Sequence, residues 1–192
     1  MTGFSQETGD GYSLKNRFSF EYNSGFSYLI DVPEIFEINL GMGADGIIGF
    51  DAYKNIGVFA GWGFNSFNNE YLYLDESGIM YGFQYKNVIH ESRFSYIIRA
   101  GAIYNQLKLK GSKDSFFKEF SYDSGHSHGF HASGALEFDM RRGWAIRGSV
   151  KYHQFKKTVS LPFSEIFPSI RITACNVDLK YAGVRLGIVK NF

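Results

Sequence analysis

The chain of 192 residues contains one Cys and three Pro, and its formal net charge is only +1. One Cys can build neither a disulfide framework nor a Cys-rich zinc site. A near-neutral balance lacks the basic footprint of a nucleic-acid binder, so no nucleic-acid partner is expected. No Pro-rich or Gly/Ser-rich stretch offers a linker, which leaves residues 1–192 as a single expected domain. Long apolar runs are missing as well. The longest stretch without Asp, Glu, Lys or Arg, Asn55 to Asn69, holds four Asn, one Ser and three Gly, so a spanning helix of about 20 apolar residues has no place in the chain. The start, Met-Thr-Gly-Phe-Ser-Gln-Glu, has no basic region followed by an apolar core, and the expectation is a mature segment from which a signal peptide has been removed. Cofactor motifs are lacking too. Gly41-x-Gly43-x-x-Gly46 matches a dinucleotide fingerprint by letters but lies inside a strand pattern with no helix after it, so no cofactor is expected.

What the chain has in quantity is aromatic residues (20 Phe, 13 Tyr and 2 Trp) together with 22 Gly. They are sorted by a period of two. Phe36, Ile38, Leu40, Met42 and Ala44 alternate with Glu37, Asn39, Gly41, Gly43 and Asp45. Ile56, Val58, Ala60, Trp62 and Phe64 alternate in the same way with Gly57, Phe59, Gly61, Gly63 and Asn65. Such alternation reads as strands with one apolar face and one polar or tiny face. Continued along the chain it predicts eight strands, at about 12–28, 36–50, 56–67, 78–86, 93–109, 127–140, 144–157 and 175–192. The connectors after the second, fourth and sixth are short, whereas the others are longer and more polar.

The Arg141-Arg142-Gly143 connector is the sharpest local signal. A three-residue hairpin loop wants its last residue left-handed, which Gly supplies without strain. With Met140 and Trp144 closing that loop, Glu137 falls opposite Arg147, Ser133 opposite Lys151 and His131 opposite His153. Leu136, Phe138 and Met140 then share a face with Trp144, Ile146 and Val150.

The faces decide the solvent. An eight-stranded barrel has an interior just wide enough for side chains, and the rings at Phe18, Phe20, Tyr22, Phe26, Tyr28, Trp62, Phe64, Tyr81, Phe83, Phe94 and Phe130, among others, are too many for one narrow lumen. The apolar face is therefore expected outside, against lipid, and a lipid-spanning sheet must close on itself. The expected fold is all-β: a closed, eight-stranded, antiparallel, up-and-down transmembrane barrel.

This pattern resembles the small eight-stranded barrels of bacterial outer membranes, the families of outer membrane proteins A and X. The last residues carry the most motif-like part of the resemblance. Val184, Leu186, Ile188 and Phe192 lie on one face, similar to the terminal strand that the barrel assembly machinery reads; Lys190 departs from it, standing where an aromatic or apolar residue is usual, and can snorkel at the interface. The resemblance implies short periplasmic turns, longer extracellular loops, residence in the outer membrane, and outer-membrane lipid and lipopolysaccharide as surroundings.

On the inward parity stand Arg17, Glu21, Glu37, Asp45, Arg99, Glu137, Asp139, Arg147, Lys151 and Arg185, five of each sign. Charges confined in a narrow lumen persist when paired, so a plugged interior is expected in preference to a small-solute channel. Three constellations could carry chemistry. His126 and His128 alternate on one side of a segment and could share a metal ion, though no third ligand is assured and no metal is expected. His131 and Ser133, with Glu137 beyond, could form a nucleophile and base, and they resemble the His-x-Ser-Asn of outer-membrane lipid A deacylases. Gly134 stands where that family has Asn, Ala145 stands where the spacing places its Glu, and Glu137 is about 13 Å along the strand from Ser133. The third is the pair of long loops, 110–126 and 158–174, whose aromatics and mixed charge suit an extracellular ligand. A non-enzymatic barrel is the leading expectation, and a lipid A hydrolase is the runner-up.

Overall fold

The computed structural model describes residues 17–30, 39–68, 72–90, 92–111, 121–159 and 175–192. They form eight strands: β1 (Phe18–Leu29), β2 (Leu40–Tyr53), β3 (Ile56–Asn68), β4 (Leu72–Val88), β5 (Phe94–Gly111), β6 (Ser121–Arg141), β7 (Trp144–Val159) and β8 (Cys175–Asn191). Each pairs antiparallel with its chain neighbours, and β1 pairs with β8, closing the barrel. At the seam the Phe192 N–H donates to the Phe18 carbonyl (2.9 Å), so the last backbone donor of the chain is used. Closure leaves no unpaired edge, the condition for a sheet in hydrocarbon.

The period of two translates directly into sidedness. Phe18, Phe20, Tyr22, Phe26, Trp62, Phe83, Phe94, Phe130, Leu186 and Ile188 all face outward. On β5 the outward apolar or small run goes from Phe94 to Tyr104. Ten steps at about 3.4 Å, tilted by about 40°, span roughly 25 Å, the height of an outer-membrane apolar band.

The strands outrun the expected ones at the loop end. β4 begins at Leu72 and β6 at Ser121, where later starts were expected. In β4 the pattern was obscured by Glu76, an acid on the inward face that is buried and hydrogen-bonded. In β6 it was obscured by a register shift between the Gln106 and Lys108 pairings, where Ser124 Oγ donates to the Leu107 carbonyl (2.9 Å) and accepts from the Leu107 N–H (3.2 Å). A bulge breaks the alternation on which the sequence reading rests. Residues 110–111, 121–126 and 158–159, expected in loops, are strand; 112–120 and 160–174 lie outside the described residues, as do 12–16 and 36–38 of the first two expected strands.

At the β6–β7 turn the register is the expected one: Glu137 faces Arg147, Ser133 faces Lys151 and His131 faces His153. The closing pair differs. Arg141, not Met140, pairs with Trp144, and a bulge between Asp139 and Arg141 absorbs the offset. The loop proper is Arg142-Gly143, both with positive φ (55° and 75°), the form that a twisted two-residue hairpin favours. A Cβ on Gly143 would collide with the Asn191 carbonyl.

The lumen is stratified. At the loop end Leu29, Phe67, Leu74, Leu107, Leu109, Phe155, Leu179 and Tyr181 form an apolar layer inside the barrel. Ile47, Phe59 and Met80 form a smaller one lower down. Burying these large side chains excludes water from the upper lumen, each contributing roughly 1.5–3 kcal/mol.

Candidate functional site: the charged lumen

Below the upper apolar layer, charged side chains from opposite walls meet. Glu21 on β1 accepts from Arg99 Nη1 on β5 (2.8 Å) and from Arg147 on β7. Arg147 also pairs with Glu137 on β6, whose other oxygen takes Lys86 Nζ from β4 (2.8 Å). Thus one chain of charges, Lys86, Glu137, Arg147, Glu21, Arg99, links five strands. A second centre lies higher: Lys151 Nζ is 2.5 Å from Asp45 Oδ2, and Arg185 Nη2 donates to Ser27 Oγ (2.7 Å) and to Asn65 Oδ1. Asn23 joins the two centres, donating to Glu21 (2.7 Å) and Asp45 (2.6 Å).

Seven of the ten expected lumen charges are in these centres: Glu21, Asp45, Arg99, Glu137, Arg147, Lys151 and Arg185, all buried. The other three differ. Asp139 is exposed at the mouth, where its carboxylate accepts the Arg141 N–H (2.9 Å); beside the bulge it serves the turn instead of the lumen. Arg17 stands just before β1, and its carbonyl accepts from the Asp51 N–H. Glu37 lies outside the described residues. The sequence reading missed Lys86 and Glu76. Both share the inward parity of Met80 and Gln84 on β4, which is the signal that could have found them.

Glu76 anchors a polar layer directly beneath the apolar one. It accepts from Asn65 Nδ2 (2.6 Å), Asn105 Nδ2 (3.0 Å) and the Tyr181 hydroxyl (2.8 Å). From Tyr181 a chain continues through His153 Nδ1 (2.5 Å), then from His153 Nε2 to His131 Nδ1 (2.8 Å), and from His131 Nε2 to Ser133 Oγ (3.5 Å). One assignment of hydrogens satisfies every link. Tyr181 donates to Glu76, His153 Nδ1–H donates to Tyr181, His131 Nδ1–H donates to His153, and Ser133 donates to His131.

That chain bears on the hydrolase expectation. His131 is fully buried, and its orienting partner is His153, not an acid. Glu137 is held by Arg147 and Lys86. At 3.5 Å the Ser133 contact is a long one for activating a nucleophile. The residues form a hydrogen-bonded strut more readily than a triad. A cavity of about 10 Å³ beside Asp45, Lys151, Tyr181 and Arg185 has room for no more than about one water.

His126 and His128 lie on β6, outside the barrel, where both rings pack on Tyr104 (centroids 4.9 and 4.8 Å apart). Among the described residues no third His, Cys, Asp or Glu joins them. At the turn end Lys190 Nζ donates to the Arg142 carbonyl (2.8 Å) and lies 5.2 Å from the Trp144 ring, so its stem runs through the aromatic girdle to reach the rim.

No protein-family profile and no curated protein matches the sequence. Solved structures do match. The chain is similar to Neisserial surface protein A (8% identity, 91% of this chain and 97% of that one covered, TM-score 0.62). It is also similar to a major outer membrane protein from Thermus thermophilus (12%, 92% and 98%, 0.59) and to Ail, the attachment invasion locus protein of Yersinia pestis (13%, 93% and 99%, 0.57). At these identities the likeness establishes the fold, that of the small eight-stranded outer-membrane barrels.

Proposed function

We propose that the chain is an integral barrel of a bacterial outer membrane, neither enzyme nor channel, with a lumen plugged by its own side chains. Its role is structural, or to present the segments 110–126 and 158–174 to an extracellular ligand. The observation that carries the reading is the set of cross-lumen pairs: Glu21 with Arg99 and Asp45 with Lys151 join strands that are not neighbours in the sheet, and so block the interior. In this reading the short turns are periplasmic, the outward belt meets lipid and lipopolysaccharide, and Val184, Leu186, Ile188 and Phe192 form the face that the assembly machinery binds. The name of the Yersinia pestis neighbour, an attachment protein, accords with a ligand-presenting role.

Planar-bilayer recording tests the plug. The refolded protein is expected to give no steady conductance steps, and reproducible open-channel steps would overturn the closed lumen. Heat-modifiable migration in detergent tests the membrane barrel. A protein with no shift that is soluble without detergent would remove it.

A further inference from the structure

The β6–β7 turn carries charge that the plug does not use. Arg141 and Arg142 both have positive φ (94° and 55°), a region where Gly, Asn or Asp would sit with less strain, and both side chains are exposed. Lys190 belongs to the same corner, since its ammonium bonds to the Arg142 carbonyl. The Trp144 and Phe192 rings flank that ammonium at 5.2 and 6.0 Å. Aromatic rings mark the depth of the headgroups, so this corner carries three cationic residues, Arg141, Arg142 and Lys190, at phosphate level. The acid on the turn, Asp139, accepts the Arg141 N–H and keeps its charge, which leaves three cationic residues against one anion. We propose that Arg141, Arg142 and Lys190 form a site for the phosphate of an anionic phospholipid headgroup in the leaflet at the turn end, an inference that rests on the membrane reading above.

The chemistry favours an anionic phospholipid over a zwitterionic one. A guanidinium binds phosphate oxygens through paired donors, and an ammonium adds a point charge. A zwitterionic headgroup carries its own cation, which these three repel. Strained arginines at a turn are accounted for by a ligand that needs guanidinium groups there.

Trp144 is a built-in reporter. With Trp62→Phe as background it is the sole indole, because the chain has two Trp. The protein is reconstituted in phosphatidylcholine vesicles containing matched fractions of brominated phosphatidylglycerol or brominated phosphatidylcholine, and quenching is compared. Brominated phosphatidylglycerol is expected to act with about three- to fivefold higher apparent affinity, a preference that shrinks at high salt. Arg141→Asn with Arg142→Asn should abolish the preference while the heat-modifiable shift persists and the unfolding midpoint holds or rises, since Asn tolerates positive φ. Arg141→Lys with Arg142→Lys should keep only part of it, because an ammonium supplies the charge without the paired donors, and full retention would overturn the guanidinium requirement. Equal quenching in the parent, or an unchanged preference in the Asn variant, overturns the site yet leaves the barrel in lipid. No quenching by either lipid overturns the membrane reading itself.

Discussion

The Tyr181 hydroxyl on β8 donates to Glu76 on β4 across the lumen (2.8 Å), bridging opposite walls of the barrel just beneath its apolar layer. The same hydroxyl accepts from Asn65 (3.0 Å) and contacts His153 (2.5 Å). One oxygen therefore holds three other strands, and its removal strands several buried partners at once.

Tyr181→Phe is accordingly expected to lower stability by about 1–3 kcal/mol, the cost of leaving buried donors and a carboxylate short of a partner. Urea unfolding in detergent or vesicles, followed by Trp fluorescence, measures it. Tyr181→Phe combined with Glu76→Gln should cost less than the two single losses added together, because the pair acts through shared contacts.

Arg147 is the common partner of Glu21 and Glu137. Arg147→Met leaves two buried carboxylates with one cation fewer and should cost about 3–5 kcal/mol. Adding Glu137→Gln should recover part of that loss in the same unfolding assay. A neutral Arg147→Met would show that the pair is not structural.

Emptying the network should open the lumen. With Arg99, Glu137 and Arg147 all replaced by Ala, the lower centre loses three of its five charged members, and small conductance steps are expected in planar bilayers where the parent shows none. The upper apolar layer limits the effect, so a further Phe67→Ala should enlarge the steps.

Gly43 faces inward against the second centre, where an added Cβ would collide with the Asn65 side-chain oxygen and the Phe64 carbonyl. Gly43→Val should therefore slow refolding into vesicles and destabilise the product by about 1–3 kcal/mol. Gly134→Val is the control, since a Cβ there meets nothing within 4 Å.

Ser133→Ala tests the hydrolase alternative. Lipid A from cells making the parent protein and from cells making the variant should be indistinguishable by mass spectrometry. Deacylated lipid A that depends on Ser133 and on His131 would establish an enzyme instead.

Much of this architecture was legible in the chain. Alternation at period two assigned Phe20, Trp62 and Leu186 to one face and Glu21, Gly61 and Arg185 to the other, because a pleated strand leaves no other choice. The excess of rings then identified that face as the outer one. Gly143 set the β6–β7 register, and with it the Glu137–Arg147 pair, because a short turn and the face pattern must agree. What the sequence could not determine is who meets whom across the interior. Glu21 with Arg99, Asp45 with Lys151 and Glu76 with Tyr181 join strands that share no ladder. Their meeting depends on closure, which sets strand tilt and stagger and so brings residues far apart in sequence to one height. Local pattern reports only the side on which a residue stands; the depth at which it finds a partner belongs to the closed barrel.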